Sequence, residues 1–515
     1  MIKWLRSWLW PELPGDRTAL KTADQSTSEN VSTVTRVMPP RPPRAADQAR
    51  LPERRLVNIG IDFGTSSTKV VFRDLGAPRP LAYALCFHTG YPGYPAFALP
   101  SSVRFKDGRL WFGVEAERLT GGRAYRSFKI CLACQAGVVS CRRCDPLLSA
   151  RSSPGIFTVG TTASTIEALE IATLFLSYVI GLARRAVEEH FGERYRPIIT
   201  YNMCLPMEQF ESGPGRDLFL RALFLAERLA PPDQGMPLEQ LRQRLRRIAS
   251  EHPTVPPETE RATFVQPESV AAMMAFVQNR LAEEGLYGVV DVGAGTTDVA
   301  FFRLFEHEQR ALSFYHADTK IVGADDIDRA LLLALSGGSP IHDLTHIDAL
   351  QAVRVAKQSL LPGRPFRCRL NGHERTLFPD HVLSATNPVV DGIFAAYQNT
   401  WRAAYRIEPR ESRWRFGLFC IGGGSRFFLV RQRLQTTPPW ERLACPQLLE
   451  LPKPEDLRTI HCPSTQTLEP DLLAVAYGLS FHPAQFPKFW LPGEMTPPEP
   501  PPRRPPPDPD EWYPK

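Results

Sequence analysis

The sequence predicts an α/β protein whose two lobes face each other across a central cleft. Two observations carry this. A strand-turn-strand stretch, LVNIGIDFGTSSTKVVFRD at Leu56–Asp74, recurs in kind as GVVDVGAGTTDVAFF at Gly288–Phe302. Each copy is an apolar strand ending in an aspartate, a turn of small and hydroxyl residues, and a second apolar strand, so two such hairpins would clasp one ligand between two lobes. A chain of 515 residues with 43% hydrophobic content is long enough for two or three domains with sizeable cores.

In the first copy, strands at Val57–Asp62 and Thr68–Phe72 flank Gly64, Thr65, Ser66 and Ser67. Side chains that small leave backbone N–H groups open to an anion, so this turn would hold a phosphate. Asp62 would hold a hydrated magnesium ion through its carboxylate, and Lys69 would add a point charge. In the second copy Asp291 takes the role of Asp62, while Gly293, Gly295, Thr296 and Thr297 take those of Gly64 to Ser67. Thr65 and Thr296 would supply hydroxyl contacts to phosphate, and Asp62 and Asp291 would share the magnesium through water.

The pair resembles the phosphate-binding loops of the actin, sugar-kinase and heat-shock-chaperone ATPase superfamily. Four further segments stand in the order found in the DnaK-type, seventy-kilodalton heat-shock chaperones: QPESVAAMMAF (266–276), VGADDIDRAL (322–331), IGGGSRFFLV (421–430) and EPDLLAVAYGL (469–479). The resemblance runs from about Val57 to Ser480. It implies an actin-like ATPase (ribonuclease H-like) fold with a nucleotide cleft and ATP with Mg²⁺ as ligands. Lobe I would be 57–286, completed by the helix in 470–482, and lobe II would be 287–469. Too few residues follow that helix for the chaperones' peptide-binding domain.

The same resemblance assigns roles residue by residue. Lys129, in YRSFKICL, would reach the terminal phosphate and stabilise charge developing there; without the resemblance it reads as a solvated lysine at a strand end. Glu268 would orient or deprotonate the attacking water, or it is a helix N-terminal carboxylate favoured by the macrodipole. Ser269 stands where the family has proline. Asp298 matches a cleft aspartate, and the backbone of Gly323 would touch the ligand.

On the helix expected at Ile347–Leu361, Lys357 matches the family's nucleoside contact. Arg354, however, replaces a glutamate, and Gln358 replaces an arginine that packs on adenine. Gly422, Gly423 and Gly424 would let the backbone pass close to the nucleoside, where a plain turn is the alternative. Arg426 is retained as the other adenine-packing residue. ATP is therefore implied more firmly by the phosphate loops than by the base pocket.

The remaining stretches fall around this frame. Residues 1–56 would be a disordered segment with an amphipathic start, MIKWLRSWLW, fit to lie on a membrane surface or dock on a protein, or simply frayed. Residues 11–55, with MPPRPPR at Met38–Arg44, read as linker. Ser101–Gly113 is strand-like, Thr162–Gly192 a buried helix, and Pro197–Leu205 a strand of the first lobe's sheet. Two amphipathic helices occupy 216–251, the second with Arg242, Arg246 and Arg247 on what reads as a solvated face. A Pro-rich tail at 491–515 would be extended polyproline II.

Composition excludes some classes. Of the net charge of +6, residues 1–56 carry +4, from ten Lys/Arg against six Asp/Glu, so the body is nearly neutral and gives no footprint for nucleic acid. No apolar run approaches the ~18 residues of a membrane-spanning helix. Cys131, Cys134, Cys141 and Cys144 form CLACQAGVVSCRRC, two CxxC pairs that would hold a structural Zn²⁺ through four sulfurs, with two disulfides or a redox dithiol as alternatives. The other six cysteines, Cys86 and Cys462 among them, read as free thiols in a reducing cytoplasm.

The reading that results is a chaperone-like ATPase whose slow hydrolysis switches its conformation for a protein partner. The alternatives are a self-associating, filament-forming actin homologue, a small-molecule kinase of the same superfamily, and a nucleotide-binding scaffold with weak hydrolysis. The expected location is the cytoplasm, with peripheral membrane contact through residues 1–10.

Overall fold

Each hairpin read from the sequence becomes the middle of a sheet. The computed structural model describes residues 53–137, 156–158, 165–306, 310–337, 345–370, 372–407, 416–439, 445–463 and 467–494. The first sheet runs, in spatial order, Thr263–Pro267, Tyr195–Leu205, Glu53–Phe63, Ser67–Asp74, Ala82–Leu85 and Leu457–Ile460, with Leu99–Pro100 also paired to Ser67–Asp74. Glu53–Phe63 pairs in parallel with Tyr195–Leu205 and antiparallel with Ser67–Asp74.

Val57, Ile59, Ile61 and Phe63 are fully buried, and so are the residues between them, because helices cover both faces of this strand. The strand begins at Glu53, earlier than the sequence suggested. The residues from 53 to 55 join the sheet opposite Tyr195–Pro197 rather than belonging to the linker.

The second sheet repeats the plan: Gln447–Leu449, Gly417–Ile421, Gly285–Val292, Thr297–Glu306, Arg310–Lys320 and Lys488–Trp490. Again the central hairpin is flanked by a parallel strand, Gly417–Ile421 lying beside Gly285–Val292. The helices Ala324–Leu335, Thr345–Lys357 and Pro379–Ile407 accompany this sheet, and Tyr397 and Trp401 are buried in its core. Leu457–Ile460 falls inside the range expected for the second lobe, yet it pairs with Ala82–Leu85 of the first sheet.

The closing helix occupies Pro470–Leu479 and packs on the helix Glu268–Val277 and on the strand Glu53–Phe63. A Cβ on Gly478 would lie 1.8 Å from the carbonyl oxygen of Ala271, so only glycine allows this helix-to-helix approach. The end of the helix is held by two buried asparagines on neighbouring strands. Asn58 Nδ2 donates to the carbonyl of Leu479 at 2.8 Å, and Asn202 Nδ2 donates to that of Phe481 at 2.7 Å. These carbonyls have no partner within the helix and would otherwise be buried unpaired.

Several expectations change. The run at Ser101–Gly113 is two strands, Val103–Lys106 and Arg109–Phe112, in a small four-stranded sheet. The long helix is Ala168–Phe191, preceded by a short strand at Thr165–Glu167. Arg242 is buried, not solvated, because Glu170 on the long helix meets its guanidinium at 2.6 Å.

Cys86 and Cys462 are not free thiols but form a disulfide with Cα atoms 5.1 Å apart. The cause is topological: parallel pairing of Leu85 with Ile460 brings together the residues that follow each strand. Residues 1–10, the Pro-rich stretch at Met38–Arg44 and the tail at 495–515 lie outside the described residues. Among the described residues no helix is long and apolar enough to cross a membrane.

Candidate functional site

The two hairpin turns open on one cavity of about 580 Å³, within the ~300–1,000 Å³ range of small-ligand sites. Register explains how they arrive there. Asp62 pairs with Lys69 across the first hairpin, and Asp291 with Asp298 across the second, so each turn carries its charged residues just behind it.

From the first hairpin Asp62, Gly64, Thr65, Ser66 and Lys69 line the cavity; from the second, Asp291, Gly293, Thr296 and Asp298. Lys129 and Glu268 join them from two further elements. Lys357, Gly422, Gly423 and Arg426 complete the wall on another side. Gly295 and Gly323 are not among the lining residues. The N–H of Gly323 donates to Asp326 Oδ2 at 2.9 Å, so the third residue of the helix Ala324–Leu335 satisfies the backbone donor that precedes it.

Lys129 lies on the helix Phe128–Gln135, not at a strand end, and Glu268 is the first residue of its helix. Both are buried, with Lys129 Nζ 3.3 Å from Glu268 Oε2. Lys69 Nζ is 2.9 Å from Asp62 Oδ2. Asp298 accepts from Thr319 Oγ1 at 2.6 Å and from Thr296 Oγ1 at 3.1 Å. Gly422 has φ +80°, and a Cβ there would lie 2.2 Å from Asp291 Oδ1, so this glycine leaves the space that the aspartate fills.

Around the two turns, the carboxylates of Asp62, Glu268, Asp291 and Asp298 stand with the ammonium groups of Lys69 and Lys129, while Lys357, Arg354 and Arg426 meet further carboxylates elsewhere on the wall. Burial, then the charges of Glu268, Asp298 and Asp62, raises Asp291 well above the usual carboxylate range. Burial and Glu268 push Asp298 up to about 7. Burial alone would lower Lys129, but Glu268 and the other negative groups outweigh it and hold the ammonium above its ordinary value. Carboxylate oxygens gathered in this way are the ligand type that suits a hard ion such as Mg²⁺.

Several residues reach the site without a local sequence signal. Cys204, at the end of Tyr195–Leu205, places Sγ 3.8 Å from Asp62 Oδ1, and burial followed by Glu268 pushes its thiol well up. Together Asp62, Cys204 and Glu268 form a buried group with metal-ligating atoms within 4.8 Å of one another. Tyr94, Asp325 and Asp328 also line the cavity. A GYPGYP run advertises turns but not where they land, so only the tertiary arrangement reveals Tyr94.

Arg354, where the family has glutamate, turns to Asp325 at 2.9 Å and to Asp328 at 3.5 Å, while Lys357 Nζ is 2.5 Å from Asp328 Oδ1. Arg426 forks onto Asp471 at 2.6 and 2.8 Å, and also pairs with Glu469. Of the four proposed zinc thiols, Cys131 and Cys134 lie buried on the helix Phe128–Gln135, and Cys141 and Cys144 lie outside the described residues. The described half is a helical i, i+3 pair rather than a knuckle, and it gives no support for zinc.

The chain is thus a mixed α/β protein in which two acidic hairpins of like build open on one cavity. No protein-family model matches the chain. It is 29% identical over 172 residues to the chaperone protein HscA homolog of Variovorax paradoxus (strain S110), covering 32% of this chain and 27% of that protein. It is 27% identical over 177 residues to the HscA homologs of two Acidithiobacillus ferrooxidans strains, covering 33% of this chain and 27% of theirs. The alignments thus span about a quarter of the length of the curated relatives. They support a relationship to the DnaK-type chaperones and actin-like ATPases without selecting a particular member.

Proposed function

We propose that this chain binds Mg-ATP between two lobes, hydrolyses it slowly, and uses the change to switch its conformation for a protein partner. The observation that carries the reading is the meeting of two like-built hairpins, from different sheets, at one cavity together with Lys129 and Glu268. The similarity to proteins named as HscA chaperones favours the chaperone branch of the superfamily.

In this mechanism Asp62 and Asp291 would hold a hydrated magnesium ion, which would supply positive charge against the phosphates. Lys129 binds the terminal phosphoryl oxygens, and its ammonium stabilises the charge that develops on them during transfer. Glu268 accepts a hydrogen bond from the attacking water and orients it. The Lys129–Glu268 pair has to open for both roles, because a phosphate would take the lysine and a water the carboxylate. Thr65, Ser66 and Thr296 bind phosphate from the two turns. The cleft would close around the ligand, and the surface so altered would be what the partner reads.

The test is phosphate release from ATP by purified wild type beside Asp291→Ala. Slow release that disappears in the variant is expected. ATP binding without release would reduce the protein to a nucleotide-bound scaffold. Absence of ATP binding in the wild type would end the proposal, and ATP-dependent sedimentation would redirect it to a filament.

A further inference from the structure

Between Cys86 and Leu99 the chain leaves the first sheet after Ala82–Leu85 and returns beside the first phosphate-type turn, where Leu99 pairs with Thr68. Its root is fixed twice, by the Cys86–Cys462 disulfide and by donation from Cys86 N–H to the carbonyl of Ile460 at 3.1 Å. Internal backbone bonds hold its shape: Phe87 N–H to Ala96 O at 2.8 Å, Tyr94 N–H to Tyr91 O at 3.1 Å, and Ala98 N–H to Pro95 O at 2.8 Å.

The tip packs against the first sheet's core through Tyr91 and Tyr94 and also reaches beyond it. It lies on the helix Thr345–Lys357 and the turn after it, 250 or more positions away in the chain. Gln351 Nε2 donates to Pro92 O at 2.5 Å, and Gln358 Nε2 donates to Gly93 O at 3.3 Å. A Cβ on Gly93 would lie 2.6 Å from Gln351 Nε2, so the two segments are in close contact there. Arg354 donates to the hydroxyl of Tyr94, and its guanidinium carbon lies 5.4 Å from the centre of the tyrosine ring.

Tyr94 is the junction of this arrangement. Its hydroxyl also lies 3.3 Å from Ser66 Oγ in the first turn, and Arg354 continues the line to Asp325 and Asp328 on the helix Ala324–Leu335. Gly93, Tyr94, Pro95 and Ala98 form cavity wall, facing Arg354, Lys357 and Gln358. One segment therefore joins the element that would hold phosphate to the helix that would hold the nucleoside.

We propose that residues 87–98 are a strap across the cavity, latched by Tyr94 on Arg354, and that opening the latch is the step that releases bound nucleotide. The release step rests on the nucleotide reading above; the latch itself does not. The root, with Ala96, Phe97 and Ala98 buried in the core beside the first sheet, stays anchored, while the tip at 91–95, held across the cavity by side-chain hydrogen bonds, is the part that moves. The strap also meets both departures from the family, Arg354 on the helix and Gln358 in the turn after it.

The test uses the full chain, wild type beside Tyr94→Phe, which keeps the ring and removes the hydroxyl, and Gln351→Ala, which removes the contact to Pro92. Hydrogen exchange of the ligand-free proteins is read on peptides covering 87–98 and 349–358, and release of a fluorescent N-methylanthraniloyl-ADP is read by stopped flow. Both peptides are expected to be protected in the wild type and to lose protection together in each variant, with other peptides unchanged and release about tenfold faster in Tyr94→Phe. Unchanged exchange in both variants, or an unprotected strap in the wild type, overturns the latch. Unchanged release despite looser exchange overturns its role in exit. Failure of the wild type to bind the fluorescent nucleotide refutes the nucleotide reading and the release step with it, while the exchange data still decide the latch.

Discussion

Lys129 and Glu268, 139 positions apart in the chain, meet in the cavity with Nζ 3.3 Å from Oε2. One comes from the start of a helix after the small four-stranded sheet and the other from the first residue of the helix Glu268–Val277. Both are buried, and the Glu268 carboxylate is the largest of the charges that hold the Lys129 ammonium protonated against its burial.

Removing one member therefore has two separable effects. Lys129→Met is expected to lower ATP turnover by about 10²–10³ and to destabilise the fold by about 3 kcal/mol, because it leaves a buried carboxylate unpaired. The double variant Lys129→Met/Glu268→Gln should recover most of the stability and none of the turnover. Denaturant unfolding beside a phosphate-release assay reads both. A double variant as unstable as the single one would show that the pair does not act as a unit.

The crowding of carboxylates makes stability depend on pH in a defined direction. Asp298 is pushed up to about 7 in the folded chain, whereas an unfolded aspartate titrates near ~3.9. Between those values the folded state binds the proton that the unfolded state has lost, so stability falls as pH rises through this window and has been lost above it. The melting temperature of the ligand-free protein should drop between pH 5 and pH 8. Asp298→Asn should flatten that slope, and an unchanged slope would place the titrating group elsewhere.

The Cys86–Cys462 bond closes a sequence separation of 376 residues. Peptide mapping without reductant should recover these two cysteines linked. The double variant Cys86→Ala/Cys462→Ala should lose about 2–4 kcal/mol of stability. Two separate, alkylatable peptides in unreduced protein would refute the bond.

Base selection should be weak. Arg354 is turned to Asp325, Asp328 and Tyr94, and Gln358 to the strap, so the hydrogen-bonding ends of both side chains are already engaged. Strong discrimination needs buried hydrogen bonds that only one ligand satisfies. ATP and GTP are expected to compete with a fluorescent nucleotide within about tenfold of each other. A preference of ~10⁴ for ATP would show that the base is read by other groups.

Much of the frame was legible because it depends on local chemistry. The strand ends at Asp62 and Asp291, the small-residue turns, and the closing helix at Pro470–Leu479 all stand where pattern and resemblance put them. Lys129 lines the cavity from a helix rather than from a strand end, because the short local pattern around it does not distinguish the two. Arg242 was read as solvated because a helical stripe shows which positions are off the core, but not that Glu170 would cover one of them.

The sequence by itself determined the two hairpins and their acidic ends, because strand period and turn chemistry are properties of neighbouring residues. Only the tertiary structure decided that Cys86 pairs with Cys462, that Cys204 sits beside Asp62, and that Tyr94 bridges Ser66 and Arg354. Those relationships join positions far apart in the chain. They exist because parallel strand pairing and helix packing bring those positions together, and no local pattern of residues encodes such a pairing.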